Sequence, residues 1–439
     1  MITYCKKILF ILALQLSLLM LLPCGVMAED ASRRGDEAYR ELELFTDVLA
    51  LIQRNYVEEV ELKDLIYGAI DGMLATLDPH SSFMPPEEYV ERQVDTQGAF
   101  GGLGLEVTIR DGVLTVVSPI DDTPAFRAGL MAGDQIVRIE GDSTKTLDIM
   151  DAVQLMRGEP GTVVSIEVMR ETFEKPQLFE LTREVIKIAS VKSRSLAEGV
   201  GYVRLLQFQE KTAEDLKKAL KGLRKENEGV LKGLVLDLRN NPGGLLDQAI
   251  QVSDLFIDEG LIVYTEGRDE ESRISSEATK EGTEPSYPMV ILINAGSASA
   301  SEIVAGALRD HERALLLGER SFGKGSVQTL MPLGDDSGLS LTTARYFTPK
   351  GISIQATGIE PDILVPQAEL VVRKGAHYRE QDLSNHILNG NGDAVKGHEQ
   401  TSPQFHLSPE DLQDYPLMRA LDLLQGWEVF RQYEPALQG

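Results

Sequence analysis

Cysteine is nearly absent from this chain, whose two cysteines, Cys5 and Cys24, both lie within its first 24 residues. We predict that these residues belong to a leader that is removed, so that the mature chain holds no cysteine. Disulfides, thiolate catalysis and cysteine metal sites are then excluded together. Histidine is also scarce, since six histidines are scattered over 439 residues, and a histidine-based site has few candidates.

The first residues have the features of an export signal. Two lysines precede an apolar run at 8–22, and the segment ends in the small-residue pattern of positions 26–28. About fifteen apolar residues fall short of the roughly 20 that a membrane-spanning helix needs, and Pro23 fits poorly before a lipid-modified Cys24. We therefore expect export, to the periplasm or to the outer side of the membrane, and a mature start near Glu29.

Positive charge is in deficit. The chain has 43 Lys and Arg against 69 Asp and Glu, a formal net charge of -26. Such a surface repels phosphate backbones, so we expect no nucleic acid partner. Apolar content of 42% and charged content of 26% are ordinary for a globular protein, and the length predicts three or four structural units.

Changes in hydrophobic periodicity divide the chain into segments. In 29–95 the apolar residues recur at helical spacing and predict two helices before the turn LDPHSSFMPP. This segment is too short for a core of its own, so we expect it to pack on a neighbour or on a second subunit. Short alternating strands in 96–185 predict a β-rich domain, with helical insertions at 124–129 and 149–156.

Beyond residue 200 strands and helices alternate, which predicts a layered α/β core over 186–366. We interpret the polar, acidic segment 268–288 as a solvated linker in preference to an exposed hairpin. The last segment, 367–439, is loop-rich at 390–409 and then returns to helical spacing.

Three serines one residue apart, Ser297, Ser299 and Ser301, lie where an apolar strand turns into a helix. Such a turn raises a side chain above the sheet beside free helix NH groups. Ser299 with Glu302 also matches a capping box, and the spacing alone does not decide between a helix cap and a nucleophile. His311 is excluded as the base, because twelve helical residues place it about 18 Å away.

A lysine can serve as the base where burial lowers its pKa toward neutrality. Most lysines lie in charged helices, whereas Lys324 follows an apolar strand in the turn ERSFGKG. The same glycines imitate a phosphate loop, but Gly325 stands where Ser or Thr would hold magnesium, and VQTLMPL continues as a strand. We reject nucleotide binding for those reasons.

An oxyanion needs two hydrogen-bond donors. The turn NNPGG at 240–244 follows a strand and lets backbone NH groups approach a bound carbonyl, and the NH of Ala300 starts a helix beside Ser299. Glycines after a strand are also ordinary turn residues, so the turn alone is weak support for a site.

With these residues assembled, the chain resembles the carboxy-terminal processing proteases, or tail-specific proteases, over nearly all of its mature length. The resemblance rests on six motifs in the family's order: LDPHSSF, FGGLGLEV, LDLRNNPGG, GSASASEI, GERSFGKGSVQ and YFTPKGISIQATGIEPDI. It implies an α/β protein, with a serine protease core layered as in the crotonase and ClpP folds, a PDZ domain at 96–185, and helical N- and C-terminal segments.

The resemblance also implies roles at matching positions. The nucleophile falls on Ser299, the general base on Lys324, and the residue that orients the base on Gln328. The oxyanion donors fall on the NH of Ala300 and on a glycine of the turn, either Gly243 or Gly244, of which we favour Gly244. A loop that holds a substrate's terminal carboxylate falls on Gly102, Leu103, Gly104 and Leu105.

From the resemblance we expect an active serine endopeptidase that needs no metal or organic cofactor. Its partners are protein or peptide substrates with a free apolar C-terminus, an adaptor protein, and further copies of the chain in a homo-oligomer. We also expect the PDZ domain to gate the site. The rival interpretation is a PDZ-bearing scaffold or chaperone that does not cleave. A second enzyme class, acyl-thioester chemistry on a related α/β fold, is disfavoured because it conflicts with both the PDZ domain and the export signal.

Overall fold

A computed structural model describes residues 24–437, apart from 198, 369–379, 381–382, 385 and 388–406. Positions 1–23 of the predicted leader and most of the predicted loop at 390–409 lie outside the described residues. The chain divides into two compact units, Met1–Phe83 and Met84–Gly439.

The first unit contains the two predicted helices, which are confirmed as α1 (Cys24–Asn55) and α2 (Leu62–Ala75). After α2, the carboxylate of Asp78 accepts hydrogen bonds from the NH of His80 at 2.8 Å and from the NH and hydroxyl of Ser81 at 2.9 and 2.8 Å. This fixes the turn into a short strand, β1 (Ser82–Met84). Large apolar side chains of α1 are exposed along the helix, at Tyr39, Leu42, Leu44, Phe45, Val48, Leu51 and Ile52.

The β-rich segment forms a small domain after helix α3 (Pro86–Gln97). Its main sheet has the strand order β3–β4–β5–β7–β8, with β6 beside β5, while β2 and β9 pair separately. The strands are β2 (Ala99–Gly102), β3 (Leu105–Arg110), β4 (Val113–Pro119), β5 (Gln135–Ile139), β6 (Asp142–Ser143), β7 (Val163–Met169), β8 (Gln177–Thr182) and β9 (Glu184–Lys187). Both predicted helical insertions are confirmed, as α4 (Pro124–Arg127) and α5 (Ile149–Met156).

The α/β core is built on a sheet with the order β10–β11–β12–β15–β16–β19, antiparallel between β10 and β11 and parallel thereafter. Its strands are β10 (Val191–Ala197), β11 (Val200–Leu205), β12 (Gly233–Asp237), β15 (Met289–Ile293), β16 (Leu315–Gly318) and β19 (Ile363–Leu364). Because side chains alternate along each strand, the sheet has two apolar faces. One packs on α6 (Thr212–Glu226), α7 (Leu246–Asp254) and α8 (Ala300–Asp310), and the other on α9 (Tyr415–Leu437).

A second, antiparallel sheet corrects one prediction. Strands β13 (Gly260–Glu266), β14 (Ile274–Ala278), β17 (Ser326–Pro332) and β18 (Gly338–Phe347) pair as β17–β18–β13–β14. The interpretation of 268–288 as a linker is therefore wrong, because β13 and β14 form a hairpin. The polar strand β14 is stabilised by backbone hydrogen bonds and leaves most of its side chains in solvent, so it lacks an apolar run.

The predicted C-terminal helix is confirmed as α9. Its start is fixed by two ion pairs to the core sheet, Arg194 with Asp411 and Arg239 with Asp414. Within the described part of the chain, no helix combines the length and apolarity that a membrane crossing requires.

Candidate active site

The structure separates the three serines between β15 and α8. Ser297 and Ser301 are fully buried, and their hydroxyls donate to the carbonyls of Leu238 at 2.8 Å and Asn241 at 3.0 Å. Ser299 directly precedes α8 and is partly exposed. Two of the three hydroxyls therefore fix the turn, and only that of Ser299 is open to a substrate.

The backbone at Ser299 is strained. Its φ of 55° and ψ of -113° lie in a region that costs a residue other than glycine about 1–3 kcal/mol. The surrounding hydrogen bonds hold this conformation: Ser299 NH donates to Glu302 Oε2 at 2.8 Å, and its carbonyl accepts from Ile303 NH at 3.0 Å. A sharp strand-to-helix turn of this kind presents a side chain at the edge of the sheet.

A buried carboxylate joins the serine turn to the lysine loop. Glu302 is fully buried. Its Oε2 accepts from the NH of Ser299 at 2.8 Å and of Lys324 at 2.9 Å, and its Oε1 accepts from Ser321 Oγ at 2.6 Å and Gly323 NH at 2.7 Å. Burial raises the pKa of Glu302, and the four hydrogen bonds oppose that rise. The capping box predicted the first of these contacts and missed the other three, which fix the lysine loop.

Lys324 lies between β16 and β17 with its side chain partly buried. The carbonyl of Lys324 accepts a hydrogen bond from the Tyr346 hydroxyl, and the NH of Gly325 donates to Gln355 Oε1 at 2.9 Å. The chain continues into β17, so the prediction of a strand rather than a helix after this loop is confirmed.

Asn241 shapes the glycine turn that follows β12. It is fully buried, its Oδ1 accepts from Gly243 NH at 2.9 Å, and its Nδ2 donates to Leu205 O at 2.9 Å. Gly243 has a φ of 103°, and a Cβ on it would lie 2.8 Å from the Cβ of Ser299. Only glycine fits at 243, because the turn packs directly against the serine turn.

Side-chain amides hold these two turns together. Asn240 NH donates to Asn294 Oδ1 at 2.9 Å, and Asn294 Nδ2 returns a bond to Asn240 Oδ1 at 2.9 Å. Ala298 NH donates to the carbonyl of Asn241 at 3.0 Å. The relative position of the glycine turn and the serine turn is therefore set before any ligand binds.

Two backbone amides stay open near Ser299. The NH groups of Gly244 and Ala300 donate to no acceptor in the described portion of the protein, whereas the NH of Gly243 is engaged by Asn241. The nitrogen of Ala300 lies 3.0 Å from where a Cβ on Gly243 would stand. Ala300 thus directly follows Ser299, and Gly244 directly follows the glycine that packs against Ser299.

Gln328 lies on β17 and Tyr346 on β18, and the Tyr346 hydroxyl contacts the lysine loop. Gln328 Nε2 donates to Ser326 Oγ at 2.9 Å and to Thr342 Oγ1 at 3.2 Å, so its amide oxygen remains as an acceptor. Tyr346 is 1% exposed, and burial raises its pKa well above the ordinary value. Sequence analysis missed Tyr346, although it opens the motif YFTPKG, because nothing in the sequence places β18 beside the lysine loop.

The predicted carboxylate-binding loop leads into β3, an edge strand of its sheet. Leu103 is 2% exposed, and its carbonyl accepts from Ala125 NH at 3.0 Å. Gly104 has a φ of 76°, and its carbonyl accepts from Ile120 NH at 2.8 Å. The NH groups of Leu103 and Gly104 have no acceptor among the residues that the structure describes.

His311 is the histidine that sequence analysis excluded as a general base. His311 caps the C-terminal end of α8, whereas Ser299 precedes the N-terminal end of the same helix, and the Nε2 of His311 contacts the carbonyl of Leu261 at 2.7 Å. His377, His398 and His406 lie outside the described residues. Across the ranges that the structure describes, no cluster of three or more His, Cys, Asp or Glu side chains is placed to hold a metal ion.

Comparison with known proteins finds three matching families. Residues 199–365 match "Peptidase family S41", residues 101–182 match "PDZ domain", and residues 25–88 match "Activating protease CtpB N-terminal domain". A carboxy-terminal-processing protease of Bartonella bacilliformis is 44% identical over 416 residues, which cover 93% of this chain and 94% of that protein. The chain belongs to the carboxy-terminal processing proteases of peptidase family S41.

Other members of the family are also similar to this S41 peptidase. The carboxy-terminal processing protease CtpB of Bacillus subtilis is 38% identical and covers 73% of this chain and 66% of its own length. A solved structure named photosystem II D1 C-terminal processing protease is 31% identical, covers 74% of this chain and 92% of its own, and has a TM-score of 0.43. The family matches and the relatives at 44% and 38% identity show that the protein is a serine peptidase, a hydrolase of peptide bonds, with a PDZ domain.

Proposed function

We propose that this S41 peptidase is an exported endopeptidase that uses a Ser299–Lys324 dyad. Its PDZ domain recognises the free C-terminus of a protein substrate, which is then cut near that end or degraded. The observation that carries the proposal is the convergence on Ser299 of two unengaged amides and of a loop, tied by Glu302, that carries Lys324.

In the proposed reaction an uncharged Lys324 amine takes the proton of Ser299 as the hydroxyl oxygen attacks a peptide carbonyl. The bond formed is the Ser299 ester, and the bond broken is the peptide C–N, whose nitrogen leaves with the proton from the lysine. Water then hydrolyses the ester to release the new C-terminus. Gln328 orients the lysine amine through its amide oxygen, since its amide nitrogen already donates to Ser326 and Thr342.

The oxyanion is stabilised by the NH groups of Ala300 and Gly244. Gly243 is the weaker choice, because its NH already donates to Asn241 and would have to give up that bond. Neither the Ala300 NH nor the Gly244 NH has to give up a hydrogen bond to the protein when it donates to the oxyanion, and such preorganised donors are effective.

The PDZ domain offers the geometry for strand addition. One side of β3 pairs with β4 and the other is an open edge, beside which α5 packs. The free NH groups of Leu103 and Gly104 lie at the start of that edge, where a terminal carboxylate would sit. Leu105 and Val107 belong to the apolar core below, so an apolar C-terminal side chain fits there.

Export, self-association and control by a partner complete the proposal. The apolar run at 8–22 supports a leader and a location in the periplasm or on the outer side of the membrane. The exposed apolar side chains of α1, among them Tyr39 at 79% and Leu42 at 64%, support packing against a second copy. An adaptor protein or a bound C-terminus then moves the PDZ domain to switch the site on.

The test uses the mature chain, from Glu29, with an unstructured protein that ends in apolar residues. We expect fragments from the wild type and none from Ser299→Ala or Lys324→Ala. A substrate with an amidated C-terminus should be cut more slowly if the PDZ domain binds the carboxylate. An intact substrate with a folded wild type would favour a binding scaffold, and cleavage by either variant would refute the dyad.

A further inference from the structure

A segment after β18 holds the lysine loop in addition to the buried carboxylate. This segment, residues 354–359, is called the brace below. Ser321 NH donates to Ile359 O at 3.1 Å, and the Ser321 hydroxyl accepts from Ile359 NH at 2.7 Å. Ala356 NH donates to Gly323 O at 2.9 Å. The brace therefore fixes the part of the loop that leads to the lysine.

The brace and the loop are in direct backbone contact. Gly358 has a φ of 69°, and a Cβ on it would lie 2.6 Å from Ser321 O. A Cβ on Gly325 would lie 2.6 Å from Gln355 N. Ala356 has a φ of 63°, a conformation that a residue other than glycine keeps only where its surroundings fix it. The close approach leaves no room for a side chain between the two segments, so a shift of the brace would shift the loop.

Two hydrogen bonds fix the peptide group before the Cα of Lys324. The oxygen of this group, Gly323 O, accepts from Ala356 NH at 2.9 Å. Its NH, that of Lys324, donates to Glu302 Oε2 at 2.9 Å. A peptide group is planar, so a hydrogen bond at each end sets the orientation of the whole group.

The peptide group after the Cα of Lys324 is fixed in the same way. Lys324 O accepts from the Tyr346 hydroxyl, and Gly325 NH donates to Gln355 Oε1 at 2.9 Å. Because both planes are set, the direction of the Cα–Cβ bond of Lys324 is set as well. Of the side chains that hold these two groups, Glu302 and Tyr346 are buried, whereas Gln355 is exposed.

We propose that Gln355 is a positioning residue, which holds the peptide group after Lys324 and so directs the lysine amine toward Ser299. The inference rests on the proposed dyad. The amine lies at the end of a four-carbon stem, so a small rotation of the peptide group becomes a larger displacement of the amine. A general base must come within hydrogen-bond reach of the proton that it takes, and a misplacement of about 1 Å can cost a rate factor of about 100.

Gln355→Leu removes the acceptor and keeps a side chain of similar size. We expect the rate of Ser299 labelling by a fluorophosphonate to fall about three- to tenfold, the effect of one hydrogen bond of ordinary net strength. The kcat for the unstructured substrate should fall by the same factor with KM unchanged, because Gln355 bonds to the enzyme's own backbone. Gln355→Glu keeps an acceptor oxygen and should label faster than Gln355→Leu.

The matched control is Thr357→Val, which alters another exposed side chain of the brace. The Thr357 hydroxyl donates to the carbonyls of Ser353 and Ile354 at 3.0 and 3.1 Å, and neither residue belongs to the lysine loop. This variant should label at the wild-type rate. Equal slowing by Thr357→Val and Gln355→Leu would reflect loosening of the brace and would overturn the role of Gln355.

The remaining outcomes separate the two proposals. Wild type that fails to label, or Lys324→Ala that labels as fast as the wild type, refutes the dyad itself. With the dyad intact, wild-type labelling by Gln355→Leu refutes the role of Gln355 alone. A raised KM with an unchanged labelling rate also refutes it, since Gln355 would then contact the substrate. Should Gln355→Leu not fold, Gln355→Ala shortens the exposed side chain and is expected to slow labelling to the same extent.

Discussion

Replacing Glu302 by glutamine should both destabilise the core and disable the site. Each carboxylate oxygen accepts two donors, at 2.6 to 2.9 Å. A glutamine keeps one acceptor oxygen and brings an NH₂ group against the other two donors. If the NH₂ group replaces Oε2, Glu302→Gln loses the hydrogen bonds of two backbone NH groups. In the opposite orientation it loses the bond from Gly323 NH, and the Ser321 hydroxyl must turn from donor to acceptor.

The magnitude follows from the charge on the acceptor. Hydrogen bonds to an ionised group contribute about 1.5–3 kcal/mol each, so losing two bonds of this kind costs roughly 3–6 kcal/mol. The neutral amide is easier to bury than a carboxylate, and burial does raise the pKa of Glu302, so part of the cost is recovered. We expect a net loss of about 2–4 kcal/mol in the free energy of unfolding.

The measurement is urea unfolding of the mature chain together with the rate of fluorophosphonate labelling of the folded protein. The labelling rate should fall at least about tenfold, because the strained Ser299 backbone and the lysine loop both depend on this carboxylate. The control is Glu284→Gln, which alters another buried carboxylate, paired with Arg224 and Tyr287. It should lower stability and leave labelling unchanged.

A free energy of unfolding for Glu302→Gln within about 0.5 kcal/mol of the wild-type value, together with an unchanged labelling rate, would refute this role of Glu302. Slowing of labelling by Glu284→Gln to the same extent would also refute it, because the effect would then reflect general loosening of the core.

Two further predictions concern the C-terminal helix and the PDZ loop. Arg194 lowers the pKa of Asp411 to about 2, below its value in an unfolded chain, so the ion pair stabilises the fold above about pH 4 and loses that effect as the pH falls toward 2. Asp411→Asn should lower the free energy of unfolding by about 1–2 kcal/mol at pH 7, a small value because Arg194 is 39% exposed. The difference in unfolding free energy between Asp411→Asn and the wild type should be smaller at pH 3 than at pH 5. An equal difference at both pH values would contradict the pairing. Gly104→Ala places a Cβ 2.3 Å from Thr123 in a backbone with a φ of 76°, which should distort the PDZ loop. We expect this variant to lose binding of a fluorescent peptide with an apolar C-terminus, measured by anisotropy. Fluorophosphonate labelling of Ser299 should persist. Gly112→Ala, with a φ of 75° and open space around its Cβ, is the control, and equal loss of binding in both variants would assign the effect to general strain.

Local patterns predicted most elements correctly because each pattern is set by which face of the element is buried. The alternating runs at 102–109 and 162–170 correspond to strands β3 and β7, and the helical spacing at 213–226 corresponds to α6. The hairpin strand β14 escaped prediction because an edge strand with polar side chains on both faces has no apolar period to detect. Its hydrogen bonds to β13 come from a partner strand, and those bonds leave no trace in the sequence.

The sequence by itself determined the family, through six motifs in order, and it singled out Ser299, Lys324, the glycine turn and the PDZ loop as candidates. Tertiary structure alone decided which of three adjacent serines is open, because the burial of Ser297 and Ser301 depends on carbonyls some sixty residues away. It also decided that the amide of Gly243 is engaged and that of Gly244 is open, and it brought Glu302 and Tyr346 to the lysine loop. Hydrogen bonds between distant segments are short-range and directional, so they exist only once the fold has brought their partners together, and no spacing along the chain encodes them.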